Sequence, residues 1–206
     1  MFHSPSMRRR DSKEKILDVA VSLAEKGGFD RVRQREVAAE AGVALGTLYK
    51  RFRSKEDLLC AALKRDSEAL ERRMERYPVR GDTPHERICS FLQAVTRALL
   101  KKPNYARAVI RAMSSGVPEI AANVAAYQGL MNGLIIAALR GTGRLGYGDA
   151  AAVPPTRKET KLALMLQQIW FATLVGWSAG LYGQNEIFDQ MRQAARIVIR
   201  GMEAEA

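Results

Sequence analysis

From Gly42 to Lys55 the sequence reads GVALGTLYKRFRSK, and its chemistry is that of holding an anion rather than of breaking a bond. Thr47, Tyr49 and Lys50 offer a hydroxyl, a phenol and an ammonium, a set sized for phosphate oxygens, while Leu45 and Thr47 can meet base edges or thymine methyls. Gly46 keeps the surface between them low, so that a nucleic-acid backbone can come close. Lys55 adds a cation where the free N–H groups of a helix start already favour phosphate. Gly42 lets the chain change direction, because a left-handed backbone costs least at glycine. A tight helical corner with a solvated basic edge would use the same glycines and charges.

Helices must hold this segment in place. Asp11 and Glu14 form a capping-box pattern, after which Ile16, Leu17, Ala20, Leu23 and Ala24 recur at helical spacing until Gly27-Gly28. A second short helix reads QREVAAEA, with Val37, Ala38 and Ala41 on one side and Gly42 as its terminator. A third runs from Ala44 or Leu45 to about Phe52, with Leu48, Tyr49 and Phe52 as its inward or shoulder positions. Ser54 and Asp57 cap a long fourth helix that Pro78 to Pro84 closes. Beyond it the pattern stays helical. Ile88, Phe91, Leu92, Val95 and Leu99 mark one helix, a short one follows Pro103, and a longer one opens at Pro118. After GTGRLGYGDAAAVPPT come helices over 159–184 and 187–202, the last carrying Phe188, Met191, Ala195 and Val198. No alternating strand pattern and no repeat occurs, so the fold is predicted to be all-α. The domains predicted are an N-terminal arm with a helix-turn-helix head over 1–54, a connecting helix over 55–80 and a body over 81–206.

The formal net charge of +11 and pI near 10.0 favour polyanionic partners. More than half of that excess, a surplus of 6, falls in residues 1–55. Cys60 and Cys89 sit in apolar helical patterns with no metal-ligand spacing and read as buried thiols in a reducing cytosol. The basic N-terminus is followed by no apolar signal segment. One run, 162–185, has 24 residues without a charge, long enough to span a membrane. Its Gln167, Gln168, Ser178, Gln184 and Asn185 point instead to a helix buried on all sides in an oligomer.

Residues 27–59, GGFDRVRQREVAAEAGVALGTLYKRFRSKEDLL, resemble the DNA-binding domain of the TetR family of bacterial transcriptional regulators. The turn, the G-T-L-Y-x-x-F helix and the S-K-E-D-L-L start of the fourth helix occur in register. The resemblance implies about nine helices: a three-helix DNA-binding head and a helical body that binds a ligand and dimerises through the two C-terminal helices. It implies base or backbone contacts from Gln34, Arg35, Leu45, Gly46 and Thr47, and phosphate contacts from Tyr49, Lys50 and Lys55. It also implies a cytoplasmic homodimer on a palindromic operator, with repression as the default. Two positions depart from the family pattern. Arg33 and Ala44 stand where a hydroxyl side chain often caps a helix, a loss of about 1 kcal/mol each. The tail Arg8-Arg9-Arg10 fits either a minor-groove arm or a basic end that adds only nonspecific attraction.

In the body, Phe91, Val95, Met113, Tyr127, Met131, Met165, Trp170, Phe171, Leu174 and Trp177 suit a bulky hydrophobic effector. Such a stripe also serves as plain core. VALGTLYKRF, LLKKPNYARAVIRAM and QIWFATLVGWSAG resemble the KstR-type branch, regulators of steroid catabolism responsive to CoA thioesters of sterol-derived acids. That implies a steroid-CoA or acyl-CoA effector, with Arg107, Arg111, Arg140 or Arg157 facing its anionic portion. The alternatives are a multidrug or small-hydrophobe sensor and a regulator with no effector. Gly141 to Gly146 spells G-x-G-x-x-G, but with a helix before it and a Pro-Pro loop after it the dinucleotide context is missing. Neither His3 nor His85 has a catalytic partner in the sequence, so no enzyme, cofactor or metal is expected.

The uncapped start of the second helix leaves Arg33 free to reach a phosphate. Arg33→Ser is then expected to flatten the dependence of DNA affinity on salt concentration, and an unchanged slope rules the contact out.

Overall fold

Residues 5–142 and 153–204 are described by a computed structural model, with side chains placed over 12–142 and 153–202. Ile16, Leu17, Ala20, Leu23 and Ala24, each at most 1% exposed, form the apolar stripe of α1 (Pro5–Arg31). The helix therefore starts at Pro5, not at the Asp11 cap the sequence pattern predicts. A proline has no N–H to leave unsatisfied in a first turn, and its fixed φ suits that place. Near its other end the backbone leaves helical geometry at Gly27 and Gly28, where φ reaches 69° at Gly28.

α2 (Gln34–Ala41) buries Val37, Ala38 and Ala41. It stops at Gly42, whose φ of 66° and ψ of 37° are left-handed. The Val43 N–H bonds the Ala38 carbonyl at 3.0 Å and the Gly42 N–H bonds that of Ala39 at 3.1 Å, which closes the helix end. α3 (Leu45–Tyr49) is shorter than predicted, because the chain beyond Tyr49 continues as a turn rather than a helix. Neither Arg33 nor Ala44 makes a side-chain cap, as their types require. α4 (Lys55–Arg76) starts on Ser54, whose Oγ accepts the Asp57 N–H at 3.1 Å. The return bond differs from the predicted box: Asp57 accepts from the N–H of Arg53, at 2.9 Å, one residue ahead of the cap.

The remaining helices are α5 (Pro84–Leu100), α6 (Pro103–Met113), α7 (Ala121–Arg140), α8 (Arg157–Ser178) and α9 (Gln184–Ala204), with one 3-10 turn at Pro118–Ile120. Among the described residues there is no strand. The uncharged 24-residue run is thus not one helix: α8 ends at Ser178, Gly180 turns the chain at φ 78°, and α9 begins at Gln184. Nor is α8 covered all round in the single chain, since Leu164, Met165 and Val175 are each more than a third exposed. On α9 the buried row is Ile187, Met191, Ala195 and Ile199, which leaves Phe188 and Val198 half-buried on its shoulder. Among the described residues, the helix long and apolar enough to cross a membrane by composition is Pro118–Arg140, with a mean hydropathy of 1.3. Its C-terminal part belongs to the core, where every residue from Gly133 to Leu139 is buried.

Two compact units result, Met1–Asp66 with Leu100–Ala125, and Ser67–Leu99 with Ala126–Ala206. In the first, α1 packs chiefly on α6 and next on α2. α6 has no side-chain cap of its own at Lys102. Glu25 of α1 supplies one: its carboxylate accepts the Tyr105 N–H at 3.0 Å, and its carbonyl accepts the Asn104 side-chain N–H at 2.9 Å. In the second unit α8 packs on α9. The Arg87 guanidinium donates to the Ala138 and Leu139 carbonyls at 3.0 and 2.8 Å, closing the end of α7.

α8 opens on a capping box, Thr156 with Glu159. Glu159 also takes both arms of Arg140 at 2.7 Å, and Arg140 reaches the Val153 and Pro154 carbonyls as well. The Arg140 guanidinium, then the Thr156 N–H and hydroxyl, outweigh burial and hold the Glu159 carboxyl at about 2, below its ordinary 4.5. Because the folded value is the lower one, this stabilisation is complete above about pH 4.5 and is lost as pH falls toward 2. Glu159→Gln is expected to lower the urea midpoint at neutral pH, with the gap closing across that acid range. A gap that stays constant down to acid pH defeats the assignment.

Candidate nucleic-acid interface and ligand core

α3 has five residues and buries one of them, Leu48, which is 0% exposed. Phe52, 4% exposed, anchors the following turn. What is left outward is Gly46, Thr47, Tyr49 and Lys50, with Leu45 half-buried beside them. The side chain of Gln34 ties the start of α2 to the end of this segment, its Nε2 donating to the Phe52 carbonyl at 2.9 Å. That bond brings the exposed Arg33 and Arg35 to the same end of the head as Tyr49 and Lys50. Gln34 itself is half-buried and spends one amide N–H on that bond, which leaves its second N–H and its amide oxygen to offer. Glu36 lies 3.0 Å from Arg31 and 3.7 Å from Arg33, drawing on their charge, while the Arg33 side chain remains 72% exposed.

Gly46 and Gly42 serve different ends. At Gly42 the backbone itself requires glycine, because φ is 66°. At Gly46 the backbone is helical, and a Cβ built there would meet nothing within 4 Å. Glycine inside a helix costs up to about 1 kcal/mol relative to alanine, and nothing in the chain's own packing asks for it at this position. A close outside partner would.

Lys55, expected at the start of the fourth helix as a phosphate contact, is the first residue of α4 and has its charge engaged within the chain. Its Nζ stands 3.6 Å from Asp30 and 3.9 Å from the centroid of the Phe29 ring, and Arg111 of α6 holds the same carboxylate at 3.0 Å and the same ring at 4.3 Å. No local spacing signals this cluster, since Arg111 is 81 residues from Asp30. Arg8, Arg9 and Arg10 lie within the helical backbone of α1, and their side chains are outside the described residues.

Seven of the ten residues predicted to line a pocket are buried in the second unit: Phe91, Val95, Tyr127, Met131, Trp170, Leu174 and Trp177. Phe171 is half-buried there, Met113 belongs to the first unit, and Met165 is 42% exposed. Met165 lines an open groove of about 280 Å3 between α8 and α9, together with Lys158, Lys161, Ile197 and Met202. Inside, the indole N–H of Trp170 donates to Thr96 at 2.9 Å, and burial pushes the Tyr127 phenol well above its usual range. The side-chain oxygens of Asn132 and Gln167 are buried without a hydrogen-bond partner among the described residues. The sequence marks Gln167 only as a polar residue of the uncharged run and not as a ligand contact, and Asn132 goes unmarked, although an amide in an apolar helical stripe is a visible signal.

Of the arginines considered for an anionic ligand, Arg140 is taken up by Glu159 and two carbonyls, and Arg111 by Asp30. Cys60 is buried, and burial, then Asp57 and Glu56, push its thiol up to about 11. Cys89 differs from expectation in being half-buried, its Sγ 3.6 Å from His85 Nε2. No cluster of three or more metal-ligating side chains occurs among the described residues. The G-x-G-x-x-G begins at Gly141, just after α7, and its last four residues lie outside the described residues.

Residues 16–62 match the profile of the bacterial regulatory proteins of the tetR family, and residues 81–198 match the tetracyclin repressor-like C-terminal domain. The HTH-type transcriptional repressor KstR of Rhodococcus jostii is 30% identical over 94% of this chain and 85% of its own length. KstR of Mycolicibacterium smegmatis is 28% identical over 94% and 90%. Among solved structures, a TetR transcriptional regulator from Rhodococcus sp. RHA1 superposes with a TM-score of 0.76 at 25% identity, over 92% of this chain and 96% of that one. The Thermus thermophilus FadR in complex with lauroyl-CoA shares the fold with a TM-score of 0.71 at 19% identity, over 92% and 94%.

The empty space above Gly46 separates a structural glycine from one kept for a partner. Gly46→Ala is expected to raise the stability of the free protein by up to about 1 kcal/mol in urea melts. The same change should weaken binding to a DNA duplex enriched from a random pool by roughly ten-fold, about 1.4 kcal/mol. Undiminished DNA binding would remove this helix from the interface.

Proposed function

The chain belongs to the TetR family of bacterial regulatory proteins, and from that premise we propose that it is a ligand-responsive repressor, working in the cytoplasm as a homodimer on a palindromic operator. The observation that carries the DNA reading is α3: one buried leucine, an outward row of Thr47, Tyr49 and Lys50, and a glycine that the chain's own packing leaves unexplained. Thr47 and Leu45 meet base edges, while Tyr49, Lys50, Arg35 and Lys55 hold phosphates and set the register.

The dimer reading rests on α8 and α9. Leu164, Met165 and Val175 on one and Ile197 on the other are large apolar side chains left exposed, and a self-complementary face of this kind suits a two-fold pair. Two recognition helices related by that axis read two half-sites, hence the palindrome.

For the effector we propose a hydrophobic CoA thioester of a steroid or fatty acid, bound in the core of the second unit. The apolar set around Met131 and Trp170 favours a bulky hydrocarbon, and the two orphan amide oxygens of Asn132 and Gln167 would accept from a hydroxyl or amide N–H on it. The KstR likeness over 94% of the chain and the acyl-CoA in the FadR structures support the same class.

A matching ligand at about one hundred times its Kd should stabilise the fold by about 2.7 kcal/mol and release DNA. Thermal melting and DNA anisotropy with long-chain acyl-CoA, steroid-acid CoA and free CoA check this. If none raises the Tm or lowers the anisotropy, the CoA-thioester assignment fails.

A further inference from the structure

The cluster on Phe29 holds three charges that the DNA-binding reading uses only in part. Lys55, the first residue of α4, and Arg111, near the end of α6, flank one phenyl ring from distances of 3.9 and 4.3 Å. Asp30, the next residue along, reaches both, with one oxygen 3.0 Å from Arg111 and the other 3.6 Å from Lys55. The ring is 8% exposed and fixed in place, whereas the carboxylate is 75% exposed and free to lean either way. All four residues lie in the first unit.

A carboxylate beside a phosphate-seeking lysine competes with the phosphate, because either anion can satisfy the ammonium. How hard it competes depends on what else holds it. Here the firmer hold is that of Arg111: its hydrogen bond to Asp30 is the shorter contact, and it is the leading cause of that carboxyl titrating below its ordinary range, with Lys55 contributing less. The Lys55 ammonium itself rests over the phenyl ring, 3.9 Å from its centroid, so it reaches a nearby phosphate by leaving that ring and the longer, 3.6 Å contact with Asp30.

We propose that Arg111 is a positioning residue for DNA binding, which acts by holding Asp30 and so keeps Lys55 available to a phosphate. This rests on the reading of Lys55 as a phosphate contact. Without Arg111 the carboxylate turns wholly to Lys55 and sequesters it. Without Asp30 nothing sequesters Lys55, and Arg111 ceases to matter. Because Arg111 rides on α6, Asp30 on α1 and Lys55 on α4, the mutual placement of three helices is read out at one cation.

A double-mutant cycle on the full-length protein tests this, with affinity and salt slope measured on the duplex the parent protein enriches from a random pool. Lys55→Gln should weaken binding and flatten the salt slope by about one per protomer. Arg111→Gln should weaken binding about two- to five-fold, the range expected for exposed ion pairs, and should flatten the slope as well. Asp30→Asn should tighten binding by a similar factor. In the Asp30→Asn background, Arg111→Gln should then have no effect.

If Arg111→Gln weakens binding equally in both backgrounds, its charge acts only through the general field and the proposal is wrong. If Lys55→Gln changes neither affinity nor slope, Lys55 touches no phosphate, and the proposal falls together with that assignment. If the parent enriches no duplex at all, the DNA-binding reading itself fails.

Discussion

A helix of five residues has almost no stability of its own, because nucleating a turn fixes several dihedral angles in exchange for very few hydrogen bonds. The position of α3 is therefore imposed from outside, through the complete burial of Leu48, the wedge of Phe52 and the Gln34 bond to the Phe52 carbonyl. The whole interface depends on that anchorage. With Leu48 inward, helical geometry turns Gly46, Thr47, Tyr49 and Lys50 outward, and the absence of a side-chain cap at Ala44 costs little while burial holds the segment.

The same logic extends one layer out. α1 carries the stripe on which the head is built, and its longest packing partner within that unit is α6. The junction is polar at both ends: Glu25 caps the start of α6, and Asp30 takes Arg111 near its finish. Surface ion pairs are individually weak. Their interest here is directional, since they fix the rotation of α6 about an apolar contact that would tolerate sliding.

In the second unit the balance is reversed. Trp170, Met131 and Phe91 form a dense apolar interior in which a few polar groups are either paired, as Trp170 with Thr96, or left without a partner among the described residues, as the oxygens of Asn132 and Gln167. An unpaired buried acceptor costs about 1–3 kcal/mol, so two of them in a well-packed interior call for a donor from elsewhere. The exposed row on α8 and α9 presents the complementary case, apolar surface in place of unpaired polarity.

The local features were legible in the sequence. The left-handed stop at Gly42 follows from the lack of a Cβ, the Ser54 cap from a hydroxyl at the right offset, and the inward Leu48 from helical period, whereas Tyr49, read as an inward or shoulder position, is exposed. The Thr156–Glu159 capping box is equally readable as T-x-x-E, although it straddles the end of the Pro-Pro loop and the predicted helix start at 159. Misread features had local rivals: the uncharged run passes for one helix until Gly180 is seen to turn it, and Met165 joins a hydrophobic stripe on paper although it faces outward. Long-range pairings were beyond reach. The cap of α6 by Glu25, the three charges on Phe29 and the capture of Arg140 by Glu159 join residues that no period or spacing relates. Helical propensity, capping and hydrophobic period act over a few residues and are written in the order of the chain. Which charge meets which across helices is settled only when burial brings distant segments together, and the tertiary structure alone decided that.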